Sequence, residues 1–241
     1  MLTSSELKSY AHMRRIKLID QAWKDYLQDL VLHLLYKKYP KILFKGGTCI
    51  WKIMKGDRFS EDLDLSLEVL PSKLDTYLIN ELKLFGFTCT ILKKKRTKNM
   101  LFLHFGITSS VHPREIPLSI EILSSKSYIK TINTLTLYSP YPDIPPIEVN
   151  VPSNEDIIVD KISAILQRNK ARDVHDLYFL LKQGGTINPE LLARKIFGFT
   201  QKKLREKIVE KKNMWKSLSP LIVTKLPSLE EEMTYILSFF K

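Results

Sequence analysis

The sequence predicts an α/β (α+β) protein: a mixed sheet flanked by helices over residues 1–150, followed by a helical half over 151–241. Three observations point there. Within 18–36, Trp23, Tyr26, Leu27, Leu30, Val31, Leu34 and Leu35 recur at three- and four-residue steps, the spacing of one helix face. Runs of strand length at 41–44, 62–67, 87–92, 100–107 and 116–123 are apolar or alternate, and turn residues bound them. Between Tyr138 and Pro152 stand Pro140, Pro142, Pro145, Pro146 and Pro152, which exclude a helix there, and helix signals prevail beyond them.

Taken in order, Ser4 or Ser5 caps a first helix with Glu6 in its opening turn. The 18–36 helix stops at Pro40, and the strand 41–44 runs into Gly46-Gly47-Thr48 and an apolar stretch with helical spacing. A second strand opens at Asp62-Leu63-Asp64. Pro71 and Ser72 break the chain, and 74–85 reads as a helix ending before Gly86. Strands 87–92 and 100–107 make a hairpin, with Lys93, Lys94, Lys95, Arg96 and Lys98 as a cationic turn. His112-Pro113-Arg114 reads as another turn before the strand 116–123. Short edge strands fit 135–138 and 147–151. Ser153 or Asn154 then caps a helix reaching about Arg168, and a further helix opens near Arg172. Asn188 is a cap with Pro189 at the first helical position. Glu230-Glu231-Glu232 starts a last helix whose Tyr235, Ile236, Phe239 and Phe240 are expected to dock on the body.

Composition narrows the partners. A net charge of +12 and a sequence pI of about 9.5 favour anionic partners such as nucleic acid, nucleotides or acidic proteins, without choosing among them. Cys49 and Cys89 form neither a disulfide framework nor a metal-ligand spacing, and both read as small buried hydrophobes. No apolar run is long enough to span a membrane, and residues 1–15 lack a signal-peptide core, so the expected compartment is the cytoplasm.

The stretch 43–68 carries the chemistry. On a strand, Asp62, Asp64 and Ser66 share one face, and Leu63, Leu65 and Leu67 share the other. Two neighbouring carboxylates repel unless a proton or a cation lies between them. Magnesium suits the position, because it takes carboxylate oxygens together with substrate phosphates. Backbone approaches a phosphate closely where no Cβ intervenes, as at Gly46 and Gly47. A helix beginning near Thr48 would add free N–H groups, with Thr48 as its cap or as a phosphate donor. Gly-Gly alone is an ordinary turn, and Asp-x-Asp alone is an ordinary strand end. Their order with an apolar helix between them is more specific, and it predicts a nucleoside triphosphate held between glycines and carboxylates.

Lys45-Gly46-Gly47-Thr48 followed by Arg58-Phe59-Ser60-Glu61-Asp62-Leu63-Asp64 resembles the nucleotidyltransferase signature of the DNA polymerase β superfamily. It is most similar to that of the AbiEii/AbiGii family of nucleotidyltransferase toxins from bacteria and archaea. Asp160-Lys161-x-x-Ala164, then Arg168-x-x-x-Arg172-Asp173-x-x-Asp176-Leu177, resembles the later motifs of the same family, so the likeness spans about 43–181. The resemblance implies a polymerase β-like fold. It also implies an NTP substrate, with Mg2+ (or Mn2+) on Asp62, Asp64 and Glu121. Glu121 is a charged residue within the apolar strand 116–123, where a partner is expected, and Glu115 is a weaker rival. Carried over residue by residue, Lys45, Gly46, Gly47, Thr48, Arg58, Ser60 and Lys161 would bind the nucleotide. Asp176 would orient a base, the substrate or the lysine, with Arg168, Arg172 and Asp173 in support. Read without the family, the later charges are intrahelical pairs on solvated faces. His175 receives no role. Lys55-Gly56-Asp57 departs from the family pattern and predicts a looser connection into the Asp strand.

Two basic surfaces are candidates for nucleic acid: Lys93, Lys94, Lys95, Arg96 and Lys98, and the stretch 194–216 with Lys202, Lys203 and Arg205 among nine basic residues against two acidic ones. Each also reads as a solvated face, the first guarding strand edges. The implied function is metal-dependent transfer of a nucleotidyl group from an NTP to an acceptor, first the tRNA 3′ end. The protein would act as the toxin of a toxin–antitoxin pair, with a cognate antitoxin. The alternatives are transfer to a protein or small molecule, and a non-catalytic RNA- or nucleotide-binding protein.

Overall fold

A computed structural model describes residues 2–124 and 132–240. Among them, 2–53, 60–124 and 133–151 make one compact unit, and 54–59, 132 and 152–240 make a second.

The first unit is a seven-stranded mixed sheet with helices, the predicted fold class. Helix α1 (Ser4–Ala11) is opened by Thr3 rather than by Ser4 or Ser5. The Thr3 hydroxyl accepts from the Glu6 N–H while the Glu6 carboxylate accepts from the Thr3 N–H, a reciprocal cap. Helix α2 (Ile19–Lys38) buries the predicted stripe. Then follow β1 (Leu43–Lys45), α3 (Gly46–Lys52), β2 (Leu63–Leu67), α4 (Leu74–Leu84), β3 (Phe87–Arg96), β4 (Met100–Ser109), β5 (His112–Ser124), β6 (Ile132–Leu137) and β7 (Ile147–Pro152). The sheet order is β3-β4-β5-β2-β1-β7-β6. Strands β3, β4 and β5 form an antiparallel meander, β2 runs parallel to β5, β1 antiparallel to β2, and β7 parallel to β1.

Two turns predicted from sequence are strand instead. The basic run Lys93–Arg96 continues β3, paired with β4 as far as Arg96↔Leu101. Alternate cations there have partners: Lys94 Nζ donates to Asp75 on α4, and Arg96 donates to the carbonyls of Leu70 and Pro71. His112-Pro113-Arg114 opens β5, and Arg114 pairs with Asp20. Cys49 is buried as expected, but Cys89 is only half-buried on β3, an edge strand.

Helix α3 is anchored from beneath by buried charge. Lys52 Nζ lies 2.7 Å from both Asp25 Oδ1 and Asp29 Oδ1, Arg14 Nη1 bonds the outer oxygens of the same pair, and Trp51 Nε1 donates to Asp25. Two anions against two cations leave the cluster neutral, the condition under which charge is tolerated out of water. Burial pushes the Asp25 pKa up, but Arg14 and Lys52 outweigh it and hold the carboxyl far below its usual range.

The second unit is helical: α5 (Asn154–Gln167), α6 (Arg172–Lys182), α7 (Pro189–Lys195), α8 (Gln201–Val209), α9 (Lys212–Trp215) and α10 (Leu229–Leu237). Side chains of Ser153, Asn188, Thr200 and Ser228 accept from backbone N–H groups at the starts of α5, α7, α8 and α10. The segment 54–59 joins this unit as a strand-like piece: Phe59 N–H donates to Leu221 C=O, and Val223 N–H to Asp57 C=O. Of the apolar residues expected to dock α10, Ile236 is buried, whereas Tyr235 and Phe239 are exposed. The acid opening of the helix supplies an inward residue instead, Glu232. Among the described residues no helix is long and apolar enough to cross a membrane.

Candidate active site

Strand register assembles the first constellation. Asp64 on β2 is the neighbour of Lys45 on β1 and of Glu121 on β5. Glu121 in turn faces Phe102 on β4, and Phe102 faces Lys95 on β3. Cross-strand neighbours project to the same side, so Lys45, Asp64, Glu121, Phe102 and Lys95 form one row across five strands. The opposite face carries Leu63, Leu65, Ile120, Ile122, Leu101 and Leu103, all buried. Adjacent strands lie about 4.8 Å apart, which brings the Asp64 and Glu121 carboxylates within reach of one ligand. Asp62 immediately precedes β2.

Gly46 is shaped to this row. Its φ is +76°, and a Cβ built on it would lie 2.0 Å from Asp64 Oδ2. The carboxylate therefore rests directly over the glycine, in space that any side chain would fill. Helix α3 starts at Gly46 itself, two residues before the expected start, because β1 feeds it without a loop. Thr48 is buried, and its hydroxyl donates to the Asp62 carbonyl, which ties the helix to the loop entering β2. That bond places Thr48 as a support of the Asp strand rather than as a helix cap. Ser60 is also buried, and its carbonyl accepts from Gln28.

The donor chemistry fits a hard divalent cation. Among the described residues no group of three His, Cys, Asp or Glu side chains could hold a metal ion. Magnesium nevertheless binds through one or two carboxylates completed by substrate phosphates and water, and the Asp64–Glu121 pairing above a glycine cradle is of that kind.

The second constellation lies within the helical unit. Arg58 grips Asp176 with two parallel bonds, Nε to Oδ1 at 2.7 Å and Nη2 to Oδ2 at 2.9 Å. Lys161 Nζ donates to Asp176 Oδ2 at 2.6 Å and to Asp173 Oδ1 at 3.2 Å, and Arg168 forks onto Asp173. Burial raises the Asp176 pKa, but Arg58 first and Lys161 second outweigh it and hold the group well below the usual carboxylate range. The alternating chain of three cations and two anions carries one net positive charge. In place of intrahelical pairs on a solvated face, Asp176 is buried and is reached by Arg58 and by Lys161 of α5. Helical spacing alone gives no sign of such tertiary partners.

Three residues of this unit escaped the sequence reading. His175 is buried, with Nδ1 2.6 Å from Glu232 Oε1 and Nε2 3.0 Å from Asp57 Oδ1. Burial lowers its pKa, but the bonds to Asp57 and Glu232 dominate and raise it to about 9. Asp57 also accepts from Thr224. The triplet that departed from the family pattern thus anchors the segment instead of loosening it. His175, preceded by Val174 and followed by Asp176, carries no local signal of this role, and its partners lie 118 and 57 residues away.

The basic surfaces divide. On β3, Lys94 and Arg96 are engaged with the α4 side of the sheet, whereas Lys93 and Lys95 alternate to the carboxylate face. On α8, Lys202, Lys203 and Arg205 are exposed, but Lys211 is fully buried and donates to the carbonyls of Ile165 and Lys207.

A mixed sheet with a glycine turn feeding a helix, and carboxylates aligned on adjacent strands, defines a nucleotidyltransferase. The chain belongs to the family described as nucleotidyl transferase AbiEii toxin of type IV toxin–antitoxin systems, whose match covers residues 23–232. Among solved structures, MenT4, a nucleotidyltransferase toxin from Mycobacterium tuberculosis, is 20% identical with a TM-score of 0.64 over 100% of this chain and 89% of its own. A candidate nucleotidyltransferase from H. pylori gives 20% identity and a TM-score of 0.63 over 90% and 91%. JHP933 from Helicobacter pylori gives 18% and 0.56 over 91% and 89%. At these identities the likeness is one of fold. No curated protein matches the sequence.

Proposed function

We propose that the enzyme transfers a nucleotidyl group from an NTP to the 3′ end of an RNA, tRNA foremost, in a metal-dependent reaction, and that a cognate antitoxin opposes it. The observation that carries this reading is the register setting Asp64 beside Glu121 above the Cβ-free cradle of Gly46. Asp64 and Glu121 would hold magnesium, or manganese in its place, with Asp62 next to them at the entry to β2. When bound, the cation supplies positive charge to the triphosphate and to the α-phosphoryl oxygens.

Gly46 and Gly47 present backbone to the phosphates, with Lys45 beside them in the same row and Ser60 on the approach to Asp62. Thr48 acts through the Asp62 backbone. Glu121 accepts the proton of the acceptor hydroxyl as its oxygen attacks the α-phosphorus. The new P–O bond forms as the bond to the β-phosphate bridging oxygen breaks, and pyrophosphate leaves. The resemblance assigns Lys161 to the triphosphate and Asp176 to orienting a base, the substrate or the lysine, and the 2.6 Å bond from Lys161 Nζ to Asp176 supports the lysine among these. Arg58 fixes the other side of Asp176. The net charge of +12 is consistent with a polyanionic acceptor.

The test is a transfer assay with total tRNA, magnesium and each α-labelled NTP, run beside Asp62→Ala and Asp64→Ala. Label on RNA only with the intact pair is the expected result. Label on protein or on a small molecule instead would overturn the RNA acceptor.

A further inference from the structure

The row through Asp64 and Glu121 does not end at the carboxylates. It continues to Phe102 and Lys95, and the next row on the same face pairs Ser119, His104 and Lys93. Phe102 and His104 are each half-buried, with ring planes 12° from parallel and centroids 6.4 Å apart. The His104 ring is held by Ser119, whose Oγ lies 3.0 Å from Nδ1. Lys93 and Lys95 lie beside the rings on β3, both are exposed, and among the described residues neither has an ion-pair partner. Their neighbours Lys94 and Arg96 are turned to the other face and occupied there. Two flat aromatic faces on β4 with two lysines beside them on β3 form a floor suited to bases that stack and phosphates that follow.

We propose that Phe102 and His104, with Lys93 and Lys95, form the seat of the acceptor: a single-stranded RNA end whose bases stack on the rings while its phosphates meet the lysines. Gly46 lies on the β1 side of Asp64, and the rings lie on the β4 side of Glu121. A triphosphate on the glycines and an RNA end on the rings would therefore approach the carboxylates from opposite flanks. Paired bases hide their faces in the duplex stack, so the seat selects an unpaired end. The inference rests on the nucleotidyl-transfer reading for its location, but it is tested by binding alone.

Fluorescence anisotropy of the full chain with a short fluorescein-labelled single-stranded RNA, without NTP or metal, reads the seat directly. A blunt duplex of the same strand serves as comparison. Phe102→Ala and His104→Ala should each weaken single-strand binding on the order of ten-fold, with little change for the duplex, and Phe102→Tyr should restore it. Lys93→Ala combined with Lys95→Ala should flatten the salt dependence by about 1.4 in log–log slope. Single-strand binding unchanged in Phe102→Ala, or lost equally for strand and duplex, overturns the seat. If binding responds as stated while the parent labels no RNA in the transfer assay, the seat stands and the RNA-transfer reading falls. If the parent labels RNA while Phe102→Ala binds normally, the reverse holds.

Discussion

At Gly46 an added methyl group would have to lie 2.0 Å from Asp64 Oδ2, on a backbone at φ +76°. Either the carboxylate moves or the turn opens. Gly46→Ala is therefore expected to lose nucleotidyl transfer on the order of a hundred-fold, the scale of a misplaced catalytic group, while far-UV circular dichroism stays native. Unchanged turnover would mean that the Asp64 position is not critical. Arg58 allows a graded test. Removing it leaves Asp176 buried with a single cation, so Arg58→Ala should cost about 3–5 kcal/mol of stability. Arg58→Lys keeps the charge but not the fork and should fall between that variant and the parent in urea denaturation. Equal stability of the lysine variant and the parent would show that the two-bond geometry contributes nothing. The sequence singled out both residues, Gly46 for a backbone open to phosphate, whereas the structure sets the Asp64 carboxylate in the space its missing Cβ leaves. For Arg58 the sequence pointed to the nucleotide, and the structure shows an arginine spent on Asp176. A motif identifies which side chains matter, but a partner 118 residues away is decided by the fold.

Helices α6 and α10 are joined through Asp57, His175 and Glu232, and the join should depend on pH. Two carboxylates within hydrogen-bond reach of both ring nitrogens call for the doubly protonated imidazole. The folded pKa of about 9 lies above the unfolded value of about 6.5. The stabilisation is thus complete below about pH 6.5 and is lost as pH rises through 9, on the order of 3 kcal/mol in all. Thermal melts of the parent should drop across that interval, and His175→Gln should remove the drop while lowering stability at pH 6. A parallel decline in His175→Gln would assign the pH dependence to another group. Lys211 shows the same limit of reading by element. Charge counting placed it on a solvated face, whereas its ammonium closes carbonyls in the last turns of α5 and α8.

Over the whole molecule, stability should peak far from the sequence pI of about 9.5. Asp25, Asp57, Asp173 and Asp176 are all held below their ordinary range by cationic partners despite burial. Each contributes stability that is present above about pH 4 and lost as pH falls through its folded pKa. Together with His175 on the alkaline side, they predict a maximum between about pH 4.5 and 6.5, measurable as the top of a melting-temperature profile. A maximum near pH 9 would contradict the buried ion pairs as drawn. The amino-acid order alone determined the α/β class, the apolar cores of the strands and the 18–36 helix, because hydrophobic periodicity is a local property that one face must bury. It also determined the glycine turn and the aspartates after it, because their chemistry is carried by residues close in sequence. Only the tertiary structure decided that Asp64 pairs with Glu121, that Lys93 and Lys95 part from Lys94 and Arg96, and that Arg58, His175 and Lys211 face inward. Those outcomes depend on register and on charge partners far along the chain, and burial makes an unpaired charge too costly to leave such partners to chance.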